Sequence, residues 1–177
     1  MTAQNKPLAA RTAAHAVSCY GSRDPFEIAE REGVTVCSYD LGSLNGMYTV
    51  LCGVPFIALS ESLDRYGARL VCAHELGHHM LHRALAETTA LHDSGIFSGG
   101  GRLEYEANEF AAELLISDRK LLCAVRDFGS LSAVAAELGE CEELVAVKSE
   151  LLRSAGSSLR QMDVQVDFLK KIFSKND

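Results

Sequence analysis

Two histidines four residues apart, His74 and His78, could hold a single metal ion. On a helix, residues at this spacing project from one face, about 6 Å apart along the axis, so both imidazoles can reach the same ion. Glu75 projects about 100° away, which suits a carboxylate that takes a proton from a metal-activated water. The pattern His-Glu-x-x-His therefore predicts zinc-assisted hydrolysis with Glu75 as the base.

The residues around this motif favour a metal-binding helix over an ordinary helix with surface histidines. His74 and His78 lie at the edge of an apolar arc, where imidazoles are costly to bury unless a partner satisfies them. His82 continues the series, but it lies about 12 Å from His74 along a straight helix, too far to share the ion. We interpret it as a histidine at the rim of the helix. His79 points away from the metal face and is interpreted as structural.

Glu104 is the candidate for the third protein ligand that a catalytic zinc site requires. The stretch 102–115 is typical of an amphipathic helix, and Glu104 falls on its apolar side with Asn108 one turn later. A carboxylate there needs a partner, which a metal ion would supply, and Asn108 could then hydrogen-bond a ligand histidine. The alternative is that Glu104 caps the helix start. Three further glutamates fall on the opposite face, which is typical of a solvated surface: Glu106, Glu109 and Glu113.

These two stretches resemble a known family. His74-Glu75-Leu76-Gly77-His78, followed by Leu81-His82, and the run from Glu104 to Leu115 are similar to the H-E-L-G-H and E-x-x-A-N-x-F-A-A-x-L-L motifs of the ImmA/IrrE family of zinc metallopeptidases, which are gluzincin-like. The resemblance is specific over 67–116 and extends in order and spacing over about 30–155. It implies that His74, His78 and Glu104 bind zinc and that Glu75 is the catalytic base.

The resemblance also implies a function. The expected activity is that of a zinc-dependent endopeptidase, an anti-repressor that cleaves a helix-turn-helix transcriptional repressor of a mobile element or stress regulon. The alternative is a non-catalytic, zinc-containing regulatory protein that binds a repressor. Three protein ligands with an open fourth position favour catalysis, whereas four would favour a structural metal. In such metallopeptidases an edge strand near the zinc can bind an extended substrate by strand addition.

The composition places limits on the class of protein. The chain has 177 residues, 47% hydrophobic and 23% charged, which is typical of one soluble globular domain. A net charge of −7 argues against a broad phosphate-binding surface, so direct nucleic-acid binding is not expected. The sequence has neither a signal peptide nor an apolar run of membrane-spanning length. Its six cysteines lack disulfide-module spacing, which predicts a cytoplasmic protein with reduced, mostly buried thiols and no membrane association.

The predicted fold class is α+β, a mostly helical single domain with a small three-stranded antiparallel-type sheet packed on the metal helix. The strands follow one another as a meander over 34–39, 48–52 and 55–59, with an Asn45-Gly46 turn signal. Helices are predicted at 7–20, 25–33, 67–83, 102–115, 118–127, 130–138 and 140–154.

The predicted domain spans 1–155, with its core motifs in 67–116 and a helical part in 118–154. The short helices of that part could form a helix-turn-helix, but their five glutamates favour packing around the catalytic unit. The glycine- and serine-rich stretch 84–101 is predicted as a loop, either a lid or a simple excursion. Residues 156–177 are predicted to form a C-terminal docking helix and tail.

Overall fold

The structure is a computed structural model that describes residues 6–86, 91–93 and 101–157. Within these ranges the chain forms seven helices and four strands, which confirms the predicted α+β class. In chain order they are α1 (Leu8–Tyr20), α2 (Pro25–Arg31), β1 (Thr35–Tyr39), β2 (Gly46–Leu51), β3 (Val54–Ser60), α3 (Arg65–Ala86), β4 (Leu91–Asp93), α4 (Arg102–Leu115), α5 (Asp118–Asp127), α6 (Leu131–Leu138) and α7 (Glu142–Ser154). The predicted docking helix lies outside the described residues, so the domain boundary at 155 stays a prediction.

The sheet is mixed and has the strand order β1-β3-β2-β4. β2 and β3 form an antiparallel hairpin around Cys52 and Gly53, which both have the positive φ of a two-residue turn. β1 pairs in parallel with the other side of β3, and β4 pairs antiparallel with β2. The prediction of a three-stranded antiparallel meander was therefore wrong in strand order, and β1 pairs in parallel with β3 and not antiparallel with β2. The loop 40–45 joins β1 to β2, which are not neighbours in the sheet, and β3 lies between these two strands.

Helix α3 packs on β2 and β3 and carries the His-Glu-x-x-His motif. The Oδ1 atom of Asp64 accepts a hydrogen bond from the Gly67 amide at 2.7 Å, which satisfies a free N–H of the first turn. The helix extends to Ala86, but its backbone leaves helical values at His82, where φ is −126° and ψ is 17°. The predicted helix of 67–83 is confirmed and is longer at both ends.

Helix α4 packs against α3, α1 and α7. Gly77 of α3 permits a close approach, because a Cβ atom there would lie 3.1 Å from the Ala107 Cα and 3.2 Å from the Phe110 Cβ. These distances are tighter than ordinary carbon contacts of 3.5–4.0 Å. The glycine therefore determines how near the N-terminal half of α4 comes to the histidines of α3.

The glutamates of α4 do not all face solvent as predicted. The residues Glu109 and Glu113 are only 4% and 3% exposed. α7 covers this face of α4 and places the Nζ atom of the fully buried Lys148 2.6 Å from the Glu113 Oε2. Because wheel positions show which residues share a face and not what covers it, the sequence pattern missed this burial.

The C-terminal helices α5, α6 and α7 begin and end within two residues of their predicted limits. α6 and α7 pack on each other, and α7 packs on α4, in agreement with the predicted packing around the catalytic unit. Among the described residues, no helix combines the length and the apolar character that crossing a membrane requires. All six cysteines are free thiols, but Cys72 alone is buried, so the prediction of mostly buried thiols was wrong.

Candidate metal centre

Helices α3 and α4 bring three potential metal-ligand side chains together. The Nε2 atoms of His74 and His78 lie 3.2 Å apart. The carboxylate of Glu104 reaches both, with its Oε2 3.1 Å from the His74 Nε2 and its Oε1 3.4 Å from the His78 Nε2. These three side chains form a group that could hold a metal ion. The sequence had predicted this set, and the fold brings together residues that are 30 positions apart in the chain.

The donor set fits a zinc ion in both geometry and chemistry. Ligand atoms at about 2.0–2.1 Å from a tetrahedral zinc ion are about 3.3 Å from one another. The three distances between the donor atoms are 3.1, 3.2 and 3.4 Å. Two imidazoles and a carboxylate also match the ligand types of catalytic zinc sites, which keep a fourth position for water or substrate.

The electrostatics of the site favour the protonation states that bind a metal. Burial lowers the pKa of His78 below its ordinary value, and this keeps the imidazole neutral at pH 7. Burial would raise the pKa of Glu104, but its polar contacts with the His74 and His78 rings outweigh it, and the net pKa lies well below the ordinary value. Because metal ligands must be neutral imidazoles and ionised carboxylates, little proton release is required for binding.

Glu75 follows His74 on α3 and lies against strand β2. Both of its carboxylate oxygens are buried. A Cβ atom at Gly46 would overlap Val71 and lie 2.8 Å from the Glu75 Oε1, so the absence of a side chain at Gly46 makes room for the carboxylate. The predicted turn at Asn45-Gly46 was wrong, because Gly46 is the first residue of β2. The sequence pattern assigned Gly46 to a turn, but in the structure this glycine lets the Glu75 carboxylate come close to the backbone of β2.

The second ring nitrogen of His74 has a partner on α4. Its Nδ1 lies 3.0 Å from the Asn108 Oδ1, and Asn108 is buried. The amide oxygen can accept a hydrogen bond only from a protonated Nδ1, a tautomer that leaves Nε2 with a free lone pair. The structure thus confirms the predicted contact between Asn108 and a motif histidine.

The remaining histidines of α3 are both buried. His79 has its Nδ1 2.9 Å from the Tyr48 hydroxyl, which agrees with its structural interpretation. His82 is only 6% exposed, so its placement at the rim of the helix was wrong. Its Nδ1 lies 3.1 Å from the Nδ1 of His78, and its Nε2 lies 2.9 Å from the Glu106 Oε2. The prediction assumed a straight helix, whereas the backbone bends at this residue.

Comparison with known proteins identifies the family. The family model of the peptidase M78 family, described as the IrrE N-terminal-like domain, matches residues 29–150. The "uncharacterized immunity region protein 2" of Bacillus phage phi105 is 29% identical over 137 residues, which cover 73% of this chain and 85% of the relative. The "metallopeptidase ImmA" of Bacillus subtilis is 29% identical over 107 residues, which cover 59% of this chain and 61% of the relative. The chain therefore belongs to the ImmA/IrrE family of metallopeptidases.

Proposed function

We propose that the chain is a zinc-dependent endopeptidase that acts in the cytoplasm and cleaves a helix-turn-helix repressor of a mobile element or stress regulon. The observation that supports it most directly is the convergence of three ligand atoms at distances of 3.1–3.4 Å. The Glu75 carboxylate is buried, and Glu75 directly follows the ligand His74 on α3. Three ligand side chains from two helices and a carboxylate at the second position of the motif support this proposal.

In this proposal each side chain has a defined task. His74 and His78 would hold zinc through Nε2, and Glu104 would hold it through its carboxylate. Zinc held there would polarise the scissile carbonyl and make a water molecule more acidic. Glu75 takes the proton of the attacking water at a carboxylate oxygen and then gives it to the leaving amine. Asn108 holds the His74 ring by accepting the hydrogen bond of its Nδ1–H.

The family and the relatives support a class of substrate. A peptidase acts on a protein or peptide, and one relative is a phage protein named for an immunity region. These two facts support a regulatory protein of a mobile element as the substrate. The family resemblance narrows the proposal to a helix-turn-helix repressor. The three exposed thiols, Cys19, Cys52 and Cys123, suit a reducing cytoplasm.

The test compares new protein N-termini in host cells that express the wild type or Glu75→Gln. We expect a new N-terminus within a repressor in cells with the wild type and none in cells with Glu75→Gln. The variant keeps the shape and the ligand set, so purified protein should bind zinc as the wild type does. Equal zinc content is the control, because it separates loss of the base from loss of the metal.

Two outcomes would contradict the endopeptidase proposal or the role of Glu75. If both proteins bind zinc, neither produces a new N-terminus, and both retain the same repressor in a pull-down, the chain is a binding protein with a structural metal. If Glu75→Gln cleaves as fast as the wild type, Glu75 is not the base. A loss of activity without loss of zinc supports the endopeptidase.

A further inference from the structure

A chain of side-chain contacts extends from the candidate metal centre to the surface of α4. The Nδ1 of His78 lies 3.1 Å from the Nδ1 of His82. On the other side of the His82 ring, Nε2 lies 2.9 Å from the Glu106 Oε2. The Glu106 Oε1 in turn accepts a hydrogen bond of 2.7 Å from the Arg102 guanidinium. The His82 ring thus bridges a candidate metal ligand and an ionised carboxylate.

The bend in α3 makes this bridge possible. In a straight helix His82 would lie one turn above His78 and continue the ring stack along the axis. The backbone at His82 departs from helical values, and the side chain lies buried between α3 and α4. The contacts to His78 and Glu106 hold the side chain in this position.

We infer that His82 and Glu106 position His78 for the metal, an inference that relies on the zinc site of the proposed function. The ionised Glu106 accepts the Nε2–H of His82, which leaves the His82 Nδ1 as an acceptor. That atom accepts the Nδ1–H of His78 and keeps the His78 Nε2 lone pair directed at the site. α4 therefore orients both motif histidines. Asn108 of α4 contacts His74 directly, and Glu106 of α4 acts on His78 through His82.

The expected size of the effect follows from other metal sites. Partners that orient a ligand histidine affect metal affinity by about 10- to 100-fold. A histidine that only filled space would affect folding stability but not metal affinity. Zinc affinity of the purified full-length chain, measured by competition with a chromogenic chelator, therefore distinguishes a positioning role from packing.

Two substitutions at His82 separate its two contacts. In His82→Asn the side-chain oxygen takes the place of Nδ1, so it can still accept from His78 but cannot reach Glu106. In His82→Gln the side-chain amide takes the place of Nε2, so it can contact Glu106 but not His78. We expect His82→Gln and His82→Leu to weaken zinc binding about 10- to 100-fold. His82→Asn should stay within a few-fold of the wild type.

His79→Leu is the matched control, since His79 is also on α3 and equally buried, at 6% exposure, but contacts Tyr48. We expect it to lower the unfolding temperature of the metal-free protein without weakening zinc binding. Glu106→Gln, which keeps an acceptor for the His82 Nε2–H, should bind zinc more tightly than Glu106→Leu. If all three His82 variants bind zinc like the wild type, or all three weaken it equally, the positioning role is overturned.

His78→Ala distinguishes two outcomes: zinc binding at another place, and zinc binding at this site without a positioning role of His82. If His78→Ala binds zinc as tightly as the wild type, the metal is elsewhere and the inference is overturned with the site. If His78→Ala abolishes zinc binding and the His82 series behaves as expected, the positioning role is supported. It is then supported even when no proteolysis is found and the endopeptidase proposal fails.

Discussion

The two ends of α4 both place carboxylates against side chains from other parts of the chain, but these partners differ. At the N-terminal end, Glu104 faces the imidazoles of His74 and His78. At the C-terminal end, Glu113 and the nearby Asp118 of α5 meet two lysines. The Nζ atoms of Lys6 and Lys148 lie 2.5–2.9 Å from their carboxylate oxygens.

The difference lies in where the compensating charge comes from. Two ammonium groups match two carboxylates at the C-terminal end, so this ionic cluster is neutral within the chain. At the N-terminal end burial keeps His78 neutral, so this imidazole does not bring the positive charge that a lysine brings. A carboxylate beside a neutral imidazole is what a cation-binding site requires. We therefore interpret the cluster at the C-terminal end of α4 as structural and the cluster at its N-terminal end as a place for a metal ion.

The largest effect is expected from Lys148→Met. Removing one partner of a buried ion pair leaves an uncompensated charge, which costs about 3–5 kcal/mol. Denaturant unfolding should show this loss while zinc affinity stays unchanged. The control is Arg126→Met, which removes an exposed pair with Asp127 and should change stability little. If Lys148→Met is as stable as the wild type, Lys6 alone balances the cluster and the contrast between the two ends weakens.

Removal of zinc should lower the stability of the protein through the N-terminal end of α4 only. A ligand present at 100 times its dissociation constant stabilises the folded state by about 2.7 kcal/mol. Wild type and Lys148→Met should both show this difference between zinc-loaded and metal-free protein in a thermal or denaturant titration. Glu104→Gln, which removes the charge at the N-terminal end, should lose most of it. A zinc-dependent shift that survives in Glu104→Gln would show that the metal binds elsewhere.

The sequence predicted the elements of the metal centre better than their surroundings. The motif of α3 and the position of Glu104 depend on helical periodicity and on residue chemistry, which are local properties. The burial of Glu113 depends on Lys148, 35 residues further along the chain. The bend at His82 and the insertion of β3 between β1 and β2 also follow from packing between distant segments. Periodicity does not contain this information.

The contact between α3 and α4 can be tested with Gly77→Ala. The new methyl group would lie 3.1–3.2 Å from Ala107 and Phe110, so α4 must shift by a few tenths of an ångström. Overpacking of this kind costs about 1–3 kcal/mol. Since Glu104 lies one turn from Ala107, zinc affinity should fall as well. Gly129→Ala is the control because a Cβ atom at Gly129 has no neighbour within 4 Å. Unchanged zinc affinity in Gly77→Ala would mean that Glu104 adapts to the shift.

An effect that depends on pH is expected at Glu109, which lies between the two ends of α4. Burial raises its pKa to about 7, although a hydrogen bond from Tyr105 opposes the rise, and the charge of Glu106 adds to it. Between pH 4.5 and 7 the folded protein therefore holds a proton that the unfolded chain releases. The stability that this group contributes is complete below pH 4.5 and is lost as the pH rises through 7.

Glu109→Gln, which is neutral at every pH, should not lose this contribution. We expect the metal-free variant to match the wild type below pH 4.5 and to exceed its stability above pH 7, by up to about 3 kcal/mol. Denaturant unfolding of both proteins from pH 4 to 8, with a chelator present, measures this difference. A difference that does not change over this range would show that Glu109 is ionised when buried. Its charge would then need a partner, as at the two ends of the helix.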